Sequence, residues 1–281
     1  MCLYMTVIKR RATTRATAAI LTAIAMTAPA EAQIRVDAPI HSSYSSCPSC
    51  DLSNKRLNGM KLENANFAGS LFNNSNLSGG QFHGADLTGA HFRKALLYRF
   101  EANAVQMMGA SLEDATLTEA IVTNSNLHKT NLSRTNMTRA NFSQNDFRAA
   151  DLTSAQAVSV NFSSSNFEGA KLNDSNLQDA NLTNGVFKSA SFGKAILLGS
   201  QMQGADLSNA NLSNAQGLSQ AQLDTACGDV DTLLPDGLFL PFCIEQQVTP
   251  AQVTPVDTSA QNKLSKDRTL NDPLIFGFDQ K

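Results

Sequence analysis

Ala205-Asp206-Leu207-Ser208-Asn209 is followed directly by Ala210-Asn211-Leu212-Ser213-Asn214, two copies of one five-residue unit. Read backwards from there, the same frame holds without a slip to Asp51. Every fifth position from Leu52 to Leu212 is a repeat centre, and of these 33 centres 17 are Leu, 10 are Phe and 3 are Met. Val122, Ala102 and Ala157 are the exceptions. Two residues before each centre the chain prefers something small, with 16 Ala and 6 Ser among the 33. Asn or Asp often stands between the two, as at Asn66, Asn76, Asp86, Asn126, Asn131 and Asn141.

A five-residue step rotates a helical side chain by roughly 140°, so no apolar stripe forms on a helix. On a strand the same step flips the side chain from one face to the other. The centres are all buried only if the chain turns a corner once per unit, and four corners close a coil of about 20 residues. The centre and the small residue before it then point inward, while the remaining sites face water. Stacked coils place residues 20 apart in columns, one running Leu52, Phe72, Phe92, Leu112 and another Phe67, Leu87, Met107, Leu127, Phe147, Phe167, Phe187. Ala102 leaves space at a centre where Phe100 is large at the small site, so Phe100 is expected to fill the volume Ala102 vacates.

These units resemble those of the pentapeptide-repeat family, written A(D/N)LxX. Ala85-Asp86-Leu87-Thr88-Gly89 and Ala205-Asp206-Leu207-Ser208-Asn209 carry the likeness, which covers the whole array from residue 51 to 216. It implies an all-β chain, a right-handed quadrilateral β-helix (the Rfr fold) of about eight coils. At roughly 4.8 Å per strand layer its length is on the order of 40 Å.

The flanks read differently. Lys9, Arg10, Arg11 and Arg15 precede an apolar stretch at 16–28, and Ala30-Glu31-Ala32 fits a cleavage site, so residues 1–32 are expected to be a signal peptide. The expected location is periplasmic or secreted, or lumenal in a source with thylakoids. No later segment is apolar and long enough to span a membrane. Residues 33–50 form an N-terminal segment with Cys47-Pro48-Ser49-Cys50. Residues 217–244 form a cap, with a short helix at 219–226, Ser219 as N-cap and Gly228 as terminator. Its QLDTACG, LPDGL and PFC stretches resemble the ends of exported members of the family. Residues 245–281 are rich in Gln, Thr, Asp, Pro and Lys and are expected to be largely disordered, with Leu274, Ile275, Phe276 and Phe278 free to dock back or to meet a partner.

Beyond the expected signal four cysteines remain, an even number that suits an oxidising compartment. Cys227 and Cys243 are disulfide candidates. For Cys47 and Cys50 three readings stay open: a structural disulfide, a zinc half-site, or a thiol-redox pair. Zinc needs two further ligands and no second CxxC exists. No βαβ pattern surrounds the motif for redox work. Cys50 occupies the small inward site of the first unit, which favours structure.

Charge bears on partners. Some pentapeptide-repeat proteins mimic DNA and bind type II topoisomerases, which demands an acidic face. Residues 51–216 hold 13 Asp and Glu against 13 Lys and Arg, so the array is not an acidic rod. Instead the charges line up in columns of alternating sign: Lys94, Asp114, Arg134; Arg99, Glu119, Arg139; Arg93 with Glu113. Cross-coil pairing is expected. His83, His91 and His128 fall in separate columns, no nucleotide-binding glycine motif occurs, and Trp is absent. No catalytic, cofactor or metal set is expected. Triplets such as Asn131-Leu132-Ser133 and Asn181-Leu182-Thr183 are read as products of the repeat rather than as glycosylation signals. Leu96, Tyr98, Val158, Ile196 and Leu198 are apolar at outward sites on one wall, a candidate contact strip for a partner protein or a second copy. The chain therefore reads as a non-enzymatic, exported scaffold for protein interaction. A cytoplasmic topoisomerase-binding DNA mimic is the alternative, and a thiol-redox or metal protein using the CxxC is a further one.

Overall fold

The corner dictated by the repeat is visible residue by residue in the computed structural model, which describes residues 46–243. From Leu62 to Leu212 the centre and the small site of each unit are buried, whereas at the first units Leu52 and Met60 are half-buried and Lys55 is exposed. The second residue after the centre takes a left-handed backbone conformation at corner after corner, as at Asn54, Gly59 and Gly69. At Gly84 that conformation combines with close approach, because a Cβ there would collide with Asn64 Oδ1. Most corners are closed by the N–H three residues after the centre donating to the centre's carbonyl, as from Met60 to Leu57 at 3.1 Å.

The Asn or Asp before the centre has a specific task. Its Oδ1 accepts the N–H two residues on, from Ala68 to Asn66 at 2.9 Å and from Thr88 to Asp86 at 3.0 Å. This Asx brace pre-forms the turn. It also accounts for the N-x-S/T triplets, since Asn131 accepts from Ser133 N–H and Asn181 from Thr183 N–H, both at 3.0 Å.

Successive coils pair in parallel at a register of 20 residues along four ladders, seen at Lys61↔Gln81, Asn66↔Asp86, Leu71↔His91 and Asn76↔Leu96. Four ladders make a four-sided β-helix. On one wall the ladder broadens into strands β1 (Lys61–Glu63), β2 (Gln81–His83), β3 (Glu101–Asn103) and β4 (Ile121–Thr123), in that order. Register also stacks the core. Phe72 and Phe92 lie 4.8 Å apart and parallel, and Phe147, Phe167 and Phe187 follow at 4.6 and 5.0 Å. These spacings match the strand repeat. Phe100 is buried with its ring edge-on to Phe82 at 5.0 Å, beside the small Ala102 and over Gly80. The bulk of Phe100 is thus accommodated by small residues on two sides.

On the broadened wall the corner bond is replaced. Val105 N–H donates to Ser125 Oγ at 3.1 Å, Ser125 N–H to Asn145 Oδ1 at 2.8 Å, and Asn145 N–H to Ser165 Oγ at 3.1 Å. The buried Asn145 amide also donates to the carbonyls of Val122 at 2.7 Å and Phe142 at 2.9 Å. An Asn in a column of small residues is therefore a plug that satisfies backbone groups the open corners leave free.

Two boundaries differ from expectation. Cys47 takes a centre position, its N–H donating to Asn66 O at 2.7 Å, so the ladder begins one unit before residue 51. The helix α1 is shorter than expected, Gln220–Leu223, and its C-cap is Asp224 rather than Gly228. Gly228 instead pairs with Phe242. Gln222 anchors this single turn. Its Oε1 accepts from Ser219 N–H at 2.9 Å, and its Nε2 donates to the carbonyls of Leu197 and Ser200, tying the turn to the last coil. The expected signal peptide, the segment up to residue 45 and the tail beyond 243 lie outside the described residues.

Candidate functional site

After α1 the chain re-enters the ladders with a changed register. Asp206 pairs with Cys227 and Asn211 with Leu233, spacings of 21 and 22 residues instead of 20. The added residues carry the chain across the end of the coil. Cys227 is bonded there to Cys243, with Cα atoms 4.7 Å apart. Cys47 and Cys50 are likewise bonded to each other at the opposite end, Cα atoms 5.6 Å apart. The four candidate cysteines therefore form two local bridges, one closing each end.

The C-terminal bridge borders a cavity of about 830 Å³, lined among others by Glu168, Lys188, Asp206, Asp229 and Phe242. The Asp206 and Asp229 carboxylates are placed by backbone N–H groups. Asp206 Oδ1 accepts from Ser208 N–H at 3.0 Å and from Ser208 Oγ at 2.6 Å, and Oδ2 faces Lys188 Nζ at 3.2 Å. Burial pushes the Asp206 carboxyl up, but the Ser208 and Lys188 hydrogen bonds outweigh it and hold the group below the usual carboxylate range. Asp229 is also held low, first by the Asn209 N–H, which donates to Oδ1 at 2.8 Å. Asp206, Cys227 and Cys243 offer ligand atoms within 4.8 Å of one another. With the two sulfurs bonded to each other no thiolate is available, so only the carboxylate remains a donor to a metal. Among the described residues no third ligand joins Cys47 and Cys50.

The outer walls carry the ion pairs. Arg134 meets Asp114 at 2.8 Å and also contacts Glu113. Arg99 meets Glu119 at 2.8 Å, and Arg139 approaches it from the next coil at 3.6 Å. The cation nearest Asp114 from the preceding coil is Arg93, at 3.9 Å, rather than Lys94. The side-chain hydrogen bond from Arg134 holds Asp114 low, and that from Arg99 does the same for Glu119.

The apolar strip is not continuous. Leu96 and Ile196 share a ladder, but Thr116, Asn136, Gln156 and Asn176 stand between them. Val158 and Leu198 lie on the same wall, several coils from Tyr98. Tyr98 is also engaged, donating its hydroxyl to Glu119 at 3.1 Å under the guanidinium of Arg99. His83, His91 and His128 stay in separate columns. His128 is half-buried, and its Nδ1 is buried without a hydrogen-bond partner.

The family model for pentapeptide repeats matches eight copies, over residues 50–89, 106–144, 146–184 and 186–216. The chain belongs to the pentapeptide-repeat family. No curated protein matches it. Among solved structures it is similar to HetL, a pentapeptide-repeat protein involved in heterocyst differentiation regulation from the cyanobacterium Nostoc. That match has 24% identity and a TM-score of 0.36, over 69% of this chain and 90% of that one. It is also similar to QnrB1, a plasmid-mediated fluoroquinolone resistance protein, at 20% identity and a TM-score of 0.39, over 66% and 91%. A pentapeptide-repeat protein of the Arabidopsis thaliana thylakoid lumen matches at 18% identity and a TM-score of 0.16, over 60% and 68%.

The sequence reading missed the C-terminal cavity. Its walls combine the regular column of Glu168, Lys188 and Ser208 with residues 227–243, which the two register changes bring beside it. The one signal present was compositional, an unbroken absence of Lys and Arg after Lys194 as far as Cys243.

Proposed function

We propose that this chain is an exported, non-enzymatic pentapeptide-repeat solenoid that serves as a rigid scaffold for protein interaction. The observation that supports this best is the closure of both ends by local disulfides, Cys47–Cys50 and Cys227–Cys243, in a chain that begins with a signal-like sequence. Disulfides persist in oxidising compartments. The outer charges, balanced in number and paired across coils, argue against an acidic DNA-like face. No helix among the described residues is long and apolar enough to cross a membrane.

The test is the intact mass of the protein recovered from a periplasmic fraction, alkylated before and after reduction. A chain starting at Gln33 with all four remaining cysteines protected supports the reading. A full-length cytosolic protein with free thiols overturns it and makes a topoisomerase-binding assay the next experiment.

A further inference from the structure

We propose that the C-terminal end of the coil is the docking site of the chain's own segment 263–278. Between Lys194 and Cys243 the chain carries five aspartates, Asp206, Asp224, Asp229, Asp231 and Asp236, and no Lys or Arg. The same segment leaves large apolar side chains in water: Val230, Leu233, Phe239 and Phe242 are 82%, 52%, 74% and 67% exposed. Among the described residues the other exposed large apolar side chains, Leu96, Tyr98, Met108, Ile121 and Leu198, are spread along the coil, whereas these four fall in one short segment with an acidic border. The cavity of about 830 Å³ opens beside it, with Phe242 and Asp229 in its wall. Lys188 is occupied by Asp206 at 3.2 Å, so Glu168 and Asp229 set the sign of the charge there.

An occupant should bring cations and aromatic or aliphatic side chains. The first cations in the sequence after Lys194 are Lys263, Lys266 and Arg268, which outnumber Asp267 and Asp272 in the same segment, and Leu274-Ile275-Phe276-Gly277-Phe278 completes it. The chain passes directly from Phe242 and Cys243, at the edge of the surface, into that sequence. The 20 residues from Cys243 to Lys263 reach at most about 70 Å, so their length permits a return to any part of the end. A tethered segment also competes at a high effective concentration, which favours it over a free partner of equal chemistry. The inference is independent of the compartment in which the protein works.

The chain has no Trp, so Phe276→Trp in the full-length protein is a sole reporter. Its emission and its quenching by acrylamide are to be compared in three backgrounds: otherwise unchanged, with Phe239→Ser, and with Asp231→Lys plus Asp236→Lys. All three secondary positions are exposed, so the coil itself should tolerate the changes. The expected result is blue-shifted, several-fold less quenchable emission at all protein concentrations, moving to the solvent-exposed value in both altered backgrounds. A solvent-exposed Trp in the first background overturns the proposal. So does a protected Trp that ignores both sets of changes, which would place the segment elsewhere. Protection that appears only at high protein concentration assigns the surface to a second copy and overturns it equally.

Discussion

One wall of this β-helix is built in two ways. Through β1 to β4 it is extended over three residues per coil, and after β3 and β4 the open corners send the N–H groups of Val105 and Ser125 to side chains of the next coil. From Asn161 onward the same wall has single bridges and tight corners, with Ser165 N–H returning to Phe162 O at 3.3 Å and Gly185 N–H to Leu182 O at 3.1 Å. The 20-residue register passes through the change undisturbed. Register is thus enforced by the centres and the ladders, while corner geometry varies, with buried side chains taking up the N–H groups of Val105, Ser125 and Asn145. Asn145 stands at the changeover and supplies those partners.

The largest effect is expected from breaking the open-corner section at its core. Phe100→Ala leaves a void between Ala102 and Phe82 and should cost about 3–5 kcal/mol in urea unfolding. Adding Ala102→Phe restores the usual arrangement of a small site and a large centre, and should recover most of the loss. Full additivity of the two substitutions would show that Phe100 and Ala102 do not share one volume.

Asn145→Ala attacks the changeover itself. It removes the donors to the Val122 and Phe142 carbonyls and the acceptor of Ser125 N–H, all within the core. The expected loss is about 3 kcal/mol, from buried groups left unpaired. The same substitution logic applied to Ser175, whose hydroxyl only doubles the Leu172 carbonyl bond within a tight corner, should cost much less. Equal losses at the two sites, measured by chemical denaturation, would remove the distinction between the corners.

A comparable loss, also about 3 kcal/mol by loop entropy, is expected for Cys243→Ser, since the bridge closes a loop with sequence separation 16. Its location differs, however. Hydrogen exchange should quicken first at Cys227, Gly228 and Leu233, where the irregular register joins the coil, and leave the 20-residue ladders protected. Uniform loss of protection would mean that the end bridge holds the whole coil.

The contrast also explains what could be read in advance. The array was legible because one site class recurs in every unit, so the burial of Leu, Phe and Ala needed only counting. Phe100 and Ala102 were legible because both depart from the pattern at adjacent inward sites. Cys47 was open to the same reading, standing five residues before Leu52. The corner types were not legible, because Asn64 and Asn124 in open corners and Asn74 and Asn184 in tight ones share one residue type and one left-handed conformation. The C-terminal cavity was hidden for a different reason. It depends on two extra residues of register, one entering around α1 and one between Cys227 and Leu233, and no period survives there to be counted.

Acid and salt probe the outer surface, where the effect is expected to be smallest. Asp114 and Glu119 sit within the coils spanned by Arg93 and Arg139, across the β4 side of the changeover. Their folded pKa values are depressed, first by the side-chain hydrogen bonds from Arg134 and Arg99. A depressed carboxylate contributes stability above its unfolded pKa, about 3.9 for Asp and 4.3 for Glu, and loses it as pH falls through the folded value. Stability should therefore be flat with respect to these groups near neutrality and decline below about pH 4. Raising salt at neutral pH should produce only a slight loss, because both partners are open to solvent. Glu119→Gln should flatten the acid limb without altering the response to Asn145→Ala, since the ladder outside and the plug inside share no hydrogen bond. An acid limb unchanged by Glu119→Gln would locate the titrating groups elsewhere, with Asp206 and Asp229 of the C-terminal end the next to substitute.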